Sequence, residues 1–162
     1  MLVDEILEYV NAKYPEMGAA ARAYCEIALA LAESIAARKF QRSEYTEHAP
    51  CYSGIVVVTN TPLHEVISVI NFDGTQYTVV TYTPDGIVFI AEKPRKDWVV
   101  ITYVGGYDSL PKDLLYAIGE LAYFVFKYEP NIESIRSGDF NISIAEFPQP
   151  IKETILRYRG DL

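Results

Sequence analysis

The sequence predicts an α+β fold: N-terminal helices, a central antiparallel β-meander and C-terminal helices. The hydrophobic period changes twice along the chain, from helical to alternating and back, and tight-turn signals separate the alternating runs. No internal repeat, low-complexity run or linker divides the 162 residues. A single domain is therefore expected, helical over 1–42, β-rich over 52–104 and helical again over 109–162. A chain of this length buries roughly 68–70% of its unfolded surface, which is core enough without staples.

Asp4 is placed to cap a short first helix, in which Ile6, Leu7 and Val10 share a face and residues 15–18 supply the break. A second helix is expected over 19–39, with Tyr24, Ile27, Ala28, Leu31 and Ile35 at helical spacing and Arg22, Glu26 and Glu33 opposite. Residues 43–53 show no pattern and read as irregular. Five β-branched runs follow, at 55–59, 66–71, 77–82, 87–91 and 98–104. Asp73-Gly74 and Pro84-Asp85-Gly86 mark hairpins, because glycine supplies the positive φ of tight turns and proline presets their entry. In the last run both alternating sets are largely apolar, so both of its faces are expected to be covered.

Gly105-Gly106 ends the sheet, and Ser109, Pro111 and Asp113 start a third helix. Between Leu114 and Phe126 only Gly119 and Glu120 interrupt the apolar and tyrosine residues. Such a helix is either a core helix with aromatic neighbours or one that packs between subunits. Residues 132–146 alternate weakly. A last helix over 149–159 carries Ile151, Ile155 and Leu156 on one side, with Arg157 and Arg159 beyond them. Pro148 and Pro150 set it apart, so residues 147–162 are expected to contact a partner rather than complete the core.

Composition narrows the function. With 22 acidic against 14 basic residues the net charge is −8, which argues against a grip on phosphate backbones, where affinity comes from Lys and Arg. The basic clusters (Arg38-Lys39 with Arg42, residues 93–96, and Arg157 with Arg159) are short and read as solvated ends. Tyrosine dominates the aromatics, 13 against 7 Phe and 1 Trp, and suits surfaces that are buried against a partner yet partly wet. Cys25 and Cys51 are too few for a disulfide framework and read as reduced thiols. No signal peptide is evident, and the apolar stretches 23–37 and 114–126 are too short to span a bilayer.

Material for an active site is sparse. His48, Cys51 and His64 could supply three metal ligands but lack the paired spacing of zinc sites, and a solvent-exposed His48 beside a half-buried Cys51 is the simpler expectation. Gly105-Gly106-Tyr107 lies between a strand and a helix but lacks a phosphate-loop pattern. Glu44 and Glu47 form a carboxylate pair in what reads as a polar loop. No catalytic, metal or cofactor-binding residue is assigned, and no enzymatic activity or cofactor is expected.

Four motifs occur in a shared order. The first is Ala36-Ala37-Arg38-Lys39-Phe40, and the second is Thr61-Pro62-Leu63-His64-Glu65-Val66-Ile67-Ser68-Val69. Next come Val99-Val100-Ile101-Thr102-Tyr103-Val104-Gly105-Gly106-Tyr107 and then Leu110-Pro111-Lys112-Asp113-Leu114 with its apolar helix. The last is Ser137-Gly138-Asp139-Phe140-Asn141-Ile142-Ser143. From about residue 20 onward this series resembles the head-tail connector (head completion or adaptor) family of long-tailed bacteriophages. Its members share an Arg-x-Phe end to the long helix, a proline-led entry to the sheet, and a strand ending in tyrosine, a small residue and Gly-Tyr. Gly105 departs from the common alanine, and the β-region is longer than in compact members.

The resemblance implies a single connector domain and a non-enzymatic virion protein at the neck, made in the host cytoplasm. It implies a homo-oligomeric ring below the portal, twelvefold to match it, that extends the DNA channel and docks a stopper or tail-completion protein. It marks Arg38, Phe40, Pro62, Tyr103, Gly106, Tyr107 and Pro111 as motif residues. Ile151, Ile155, Leu156, Arg157 and Arg159 are the candidate partner contacts. Genome DNA would pass without specific binding, which the acidic excess favours because like charge prevents sticking. No membrane partner is expected. The competing readings are a small non-enzymatic binding module or regulator using the sheet as a platform, and a hydrolase with an unrecognised site.

Overall fold

A computed structural model describes residues 1–131, 133 and 142–160. The chain forms two compact units, one of Met1–Arg38 with Ser109–Leu162 and one of Lys39–Asp108. The helical and β-rich segments read from the sequence thus correspond to separate cores. Residues 137–141 of the last motif lie outside the described residues.

In the helical unit, α1 spans Leu2–Lys13 and buries Leu2, Val3, Ile6 and Val10. Asp4 is not its cap. It lies in the first turn, where a carboxylate suits the positive helix end, and pairs with Arg22 at 2.6 Å. A 3-10 segment, Pro15–Ala20, takes residues expected in the second helix, and Gly18 bends it at φ 58°. Helix α2 therefore spans Ala21–Ala36. It stops where Ala37 turns left-handed and Arg38 N–H donates back to the Glu33 carbonyl.

Helix α3 spans Lys112–Tyr128 with Pro111 at its N-cap, and α4 spans Gln149–Leu156. The nearly all-round apolar character of α3 has its explanation within the chain, because α1, α2 and α4 all pack on it. Of its two sequence readings, the core helix is the one observed, with Tyr116 and Tyr128 its large exposed apolar residues. Gly119 is the seat for a ring: a Cβ there would lie 2.2 Å from Cδ1 of Tyr9. The reading of α4 as a helix outside the core is corrected, since Ile155 is 0% and Phe147 4% exposed. Tyr158 Oη also donates to Asp113, and Gly160 N–H to the Ala36 carbonyl. The apolar face of α4 looked too narrow to matter because its acceptor surface lies on helices far away in sequence.

The second unit is a six-stranded antiparallel sheet with strand order β3-β6-β1-β2-β5-β4. Its strands are β1 Ser43–Tyr52, β2 Ile55–Val57, β3 Leu63–Asn71, β4 Val79–Tyr82, β5 Ile87–Ile90 and β6 Lys96–Gly105. Strand β1 occupies the segment read as irregular and pairs with β6 along all ten of its residues. Because β1 inserts between β6 and β2, the order is not that of a plain meander. The hairpin turns are as expected, with Gly74 at φ 92° and Gly86 at φ 93°. Tyr77 N–H donates to the Val69 carbonyl and Gln76 bridges Ile70, so the two edge strands also meet and the sheet curls.

One face of this curled sheet is its core. Ala49, Cys51, Val56, Val69, Val88, Ile90, Val99, Ile101 and Tyr103 are all buried there. The other face is not covered: Trp98 is 48% exposed, and Val100 and Val104 are half-buried. This overturns the expectation for β6, whose outward set is apolar yet open.

Candidate interaction surface

Five of the seven motif residues converge at one end of the sheet unit. Residues 39–42 form a strap there, held to the segment after β6 by Tyr107 N–H to the Phe40 carbonyl (2.6 Å) and Arg42 N–H to the Tyr107 carbonyl (2.9 Å). Gly106 N–H donates to the Pro62 carbonyl (3.1 Å), and His64 Nε2 to the Gly106 carbonyl (2.8 Å). Gly106 has φ 100°, the positive φ expected of it. A Cβ there would sit 2.5 Å from the Gln41 carbonyl oxygen, and one on Gly105 only 1.9 Å from that of Asn60. The Gly-Gly pair therefore lets three backbone segments touch. Phe40 is fully buried. Arg38 and Pro111 belong to the helical unit instead, one following α2 and the other capping α3.

Tyr103 ties this end together from within. Its hydroxyl accepts from Asn60 N–H (3.0 Å) and Asn60 Nδ2 (3.1 Å) and donates to Glu47 Oε2 (3.2 Å). Burial, and to a lesser degree the Glu47 charge, push the phenol up to about 12. Glu47 also accepts from Thr59 N–H at 2.9 Å, a role that no local pattern in the sequence signals. The knot is structural, since each polar group in it is engaged in holding backbone.

The weaker chemical candidates are dispersed. Three-residue spacing on a strand puts His48 and Cys51 on opposite faces of β1. His48 is exposed, with its ring 5.4 Å from Phe72, whereas Cys51 is fully buried rather than half-buried. Burial raises the Cys51 thiol above its ordinary range. Glu44 and Glu47 likewise face apart, and lie on a strand rather than in a loop.

What the fold does offer is exposed apolar and aromatic surface. On the sheet unit Tyr52, Ile55, Val57, Phe72, Val80 and Trp98 are 41–65% exposed. A groove of about 580 Å³ between Ile55, Val80 and Phe89 opens beside Lys93. On the helical unit a second groove, about 500 Å³, runs between α1 and the start of α3, lined by Glu5, Glu8, Tyr9, Ala12, Leu110 and Leu115. Nearby, the Glu120 carboxylate accepts from Tyr9, Lys13 and Tyr14, all at 2.5 Å. Its burial favours the neutral acid, but the Lys13, Tyr14 and Tyr9 bonds outweigh it and hold the acid below its ordinary value. Of the candidate partner contacts, Leu156, Arg157 and Arg159 are exposed and Ile151 is half-buried, whereas Ile155 is core. No helix among the described residues is long and apolar enough to cross a membrane.

No family model and no curated protein matches the sequence. Solved structures do match. A chain in the neck of an empty gene transfer agent particle, computed with C6 symmetry, is 15% identical with a TM-score of 0.61, the match covering 99% of this chain and 89% of that one. One in the neck of the native particle, computed with C12 symmetry, is 17% identical with a TM-score of 0.60, over 93% and 87% of the two chains. One from the virion of the native particle is 18% identical with a TM-score of 0.57, over 88% and 77%. The protein thus shares the fold of neck components of a gene transfer agent along nearly its whole length.

Proposed function

We propose that the protein is a structural neck subunit, a head-tail connector whose two units act as one domain in a homo-oligomeric ring beneath the portal. The ring would continue the DNA channel and present a platform to a stopper or tail-completion protein, without catalysis or cofactor. The observation that carries this reading is the fold shared with neck chains of a gene transfer agent particle, whose structures were computed with C6 and C12 symmetry. The ordered motifs support it, since five of their marked residues build one knot at the end of the sheet. The uncovered apolar surface on both units supports it too, because ring neighbours would bury it. The net charge of −8 suits a wall past which DNA slides.

Deleting the gene tests the role. The expected product is filled heads without tails, with tailing restored by supplying the protein. Normally tailed, infectious particles that lack the protein would refute it. The exposed Trp98, Phe72 and Tyr52 favour one second reading, a binding module that uses the sheet as a platform. That reading predicts an unaffected particle yield.

A further inference from the structure

A ring of identical subunits joined head to tail requires two different and mutually complementary surfaces on one chain. Each unit here carries an exposed groove with an apolar floor, and the rims of these two grooves are of opposite charge. On the sheet unit, Ile55, Val80 and Phe89 form the floor, Lys93 and Arg95 lie on the adjoining β5–β6 connection, and Lys96 opens β6. All three cations are exposed, and none forms an ion pair among the described residues, although the chain has 22 acids. The neighbouring acids are already engaged: Glu92 accepts from Thr78 N–H, and Asp97 from Tyr77 Oη and Trp98 N–H. On the helical unit, Tyr9, Ala12, Leu110 and Leu115 line the floor, and Glu5 and Glu8 stand on the rim, with Lys112 across from them. Glu5 is held by Leu110 N–H, whereas Glu8 is exposed and without an ion-pair partner among the described residues.

We infer that these grooves are the two halves of one contact between copies, the basic corner at residues 93–96 of one subunit docking on the acidic α1–α3 groove of the next. The inference rests on the ring reading above and specifies how the ring is joined. Apolar floors of comparable size supply the burial, and the charged rims fix which surface meets which. The contact is heterologous, so it propagates from copy to copy until the rotation closes.

Carbodiimide cross-linking of an equal mixture of light and ¹⁵N-labelled full-length protein, bound to its portal, tests it. The expected result is an amide joining Lys93 or Lys96 of one isotopic copy to Glu8 or Glu5 of another, lost in K93Q/R95Q/K96Q. In a second arm, E8K and K93E/R95E/K96E each fail to form rings alone. Mixed, they assemble again in alternation, because the two retained faces pair with each other and so do the two charge-reversed faces. Rings that form normally from either variant, or whose cross-links fall elsewhere, overturn this interface and leave the ring reading standing. A wild-type protein that makes no link between copies, with or without portal, overturns both.

Discussion

Replacing Gly106 by alanine should destabilise the sheet unit far more than an added methyl group would suggest. Two costs combine there. A non-glycine residue at φ 100° carries backbone strain on the order of 1–3 kcal/mol. The new Cβ would also lie 2.5 Å from the Gln41 carbonyl oxygen and 2.8 Å from that of Phe40, both backbone atoms that cannot swing aside. The strap over 39–42 must then shift, straining the Tyr107-to-Phe40 and Arg42-to-Tyr107 bonds, each worth about 0.5–1.5 kcal/mol net. The total is roughly 2–6 kcal/mol, a large part of the stability of a small domain. Gly74 provides the control: its φ is 92°, yet nothing lies within 4 Å of its would-be Cβ, so G74A incurs the strain alone. Urea unfolding followed by circular dichroism and Trp98 fluorescence should place the G106A midpoint about 1 M below that of G74A, taking a slope of about 1–3 kcal/mol per molar. Coincident midpoints would refute the close approach of the strap.

Ile155→Ala should lower the thermal stability of the helical unit by about 2–5 kcal/mol, as deletion of a fully buried aliphatic side chain does, and removing residues 148–160 should cost more. Unchanged melting would return α4 to the surface. Tyr103→Phe should cost about 1–3 kcal/mol for each buried group left unpaired, and a hydrogen-exchange comparison should show Asn60 N–H losing protection first. Glu120 titrates below its ordinary value in the folded state, so its contribution is present above pH about 4.3 and is lost as the pH falls through the lower, folded value. Glu120→Gln should therefore lower stability at neutral pH and flatten the acid limb of the stability curve, while changing little at low pH.

The helices and the hairpin turns were legible because their signals are local: a 3.6-residue period, and glycine at two positive-φ corners. Strand β1 was not. Its inward set of Tyr45, Glu47, Ala49 and Cys51 mixes charged, small and aromatic residues, and Pro50 argues against a strand. That proline is tolerated because the β1–β2 pairing covers only Cys51 and Tyr52, just past it. The role of Glu47 was hidden for a related reason, since its partners Thr59 and Tyr103 reach it only once the strands have paired. Ile155 was misplaced because an isolated helix shows only its own face, and the core that receives it is built mostly by residues before 129. Five of the seven motif residues singled out by resemblance stand close together in the sheet unit, but as backbone locks. What they lock, the Gly105-Gly106 junction and the 39–42 strap, is where the sheet unit begins and ends.

The central claim is that the subunit closes into a ring, and native mass spectrometry with electron microscopy of the purified protein mixed with its portal measures this most directly. The account predicts a single closed species of cyclic symmetry, with twelve copies seated on the portal and a central channel. A protein that remains monomeric at every concentration, alone and with portal, would contradict it.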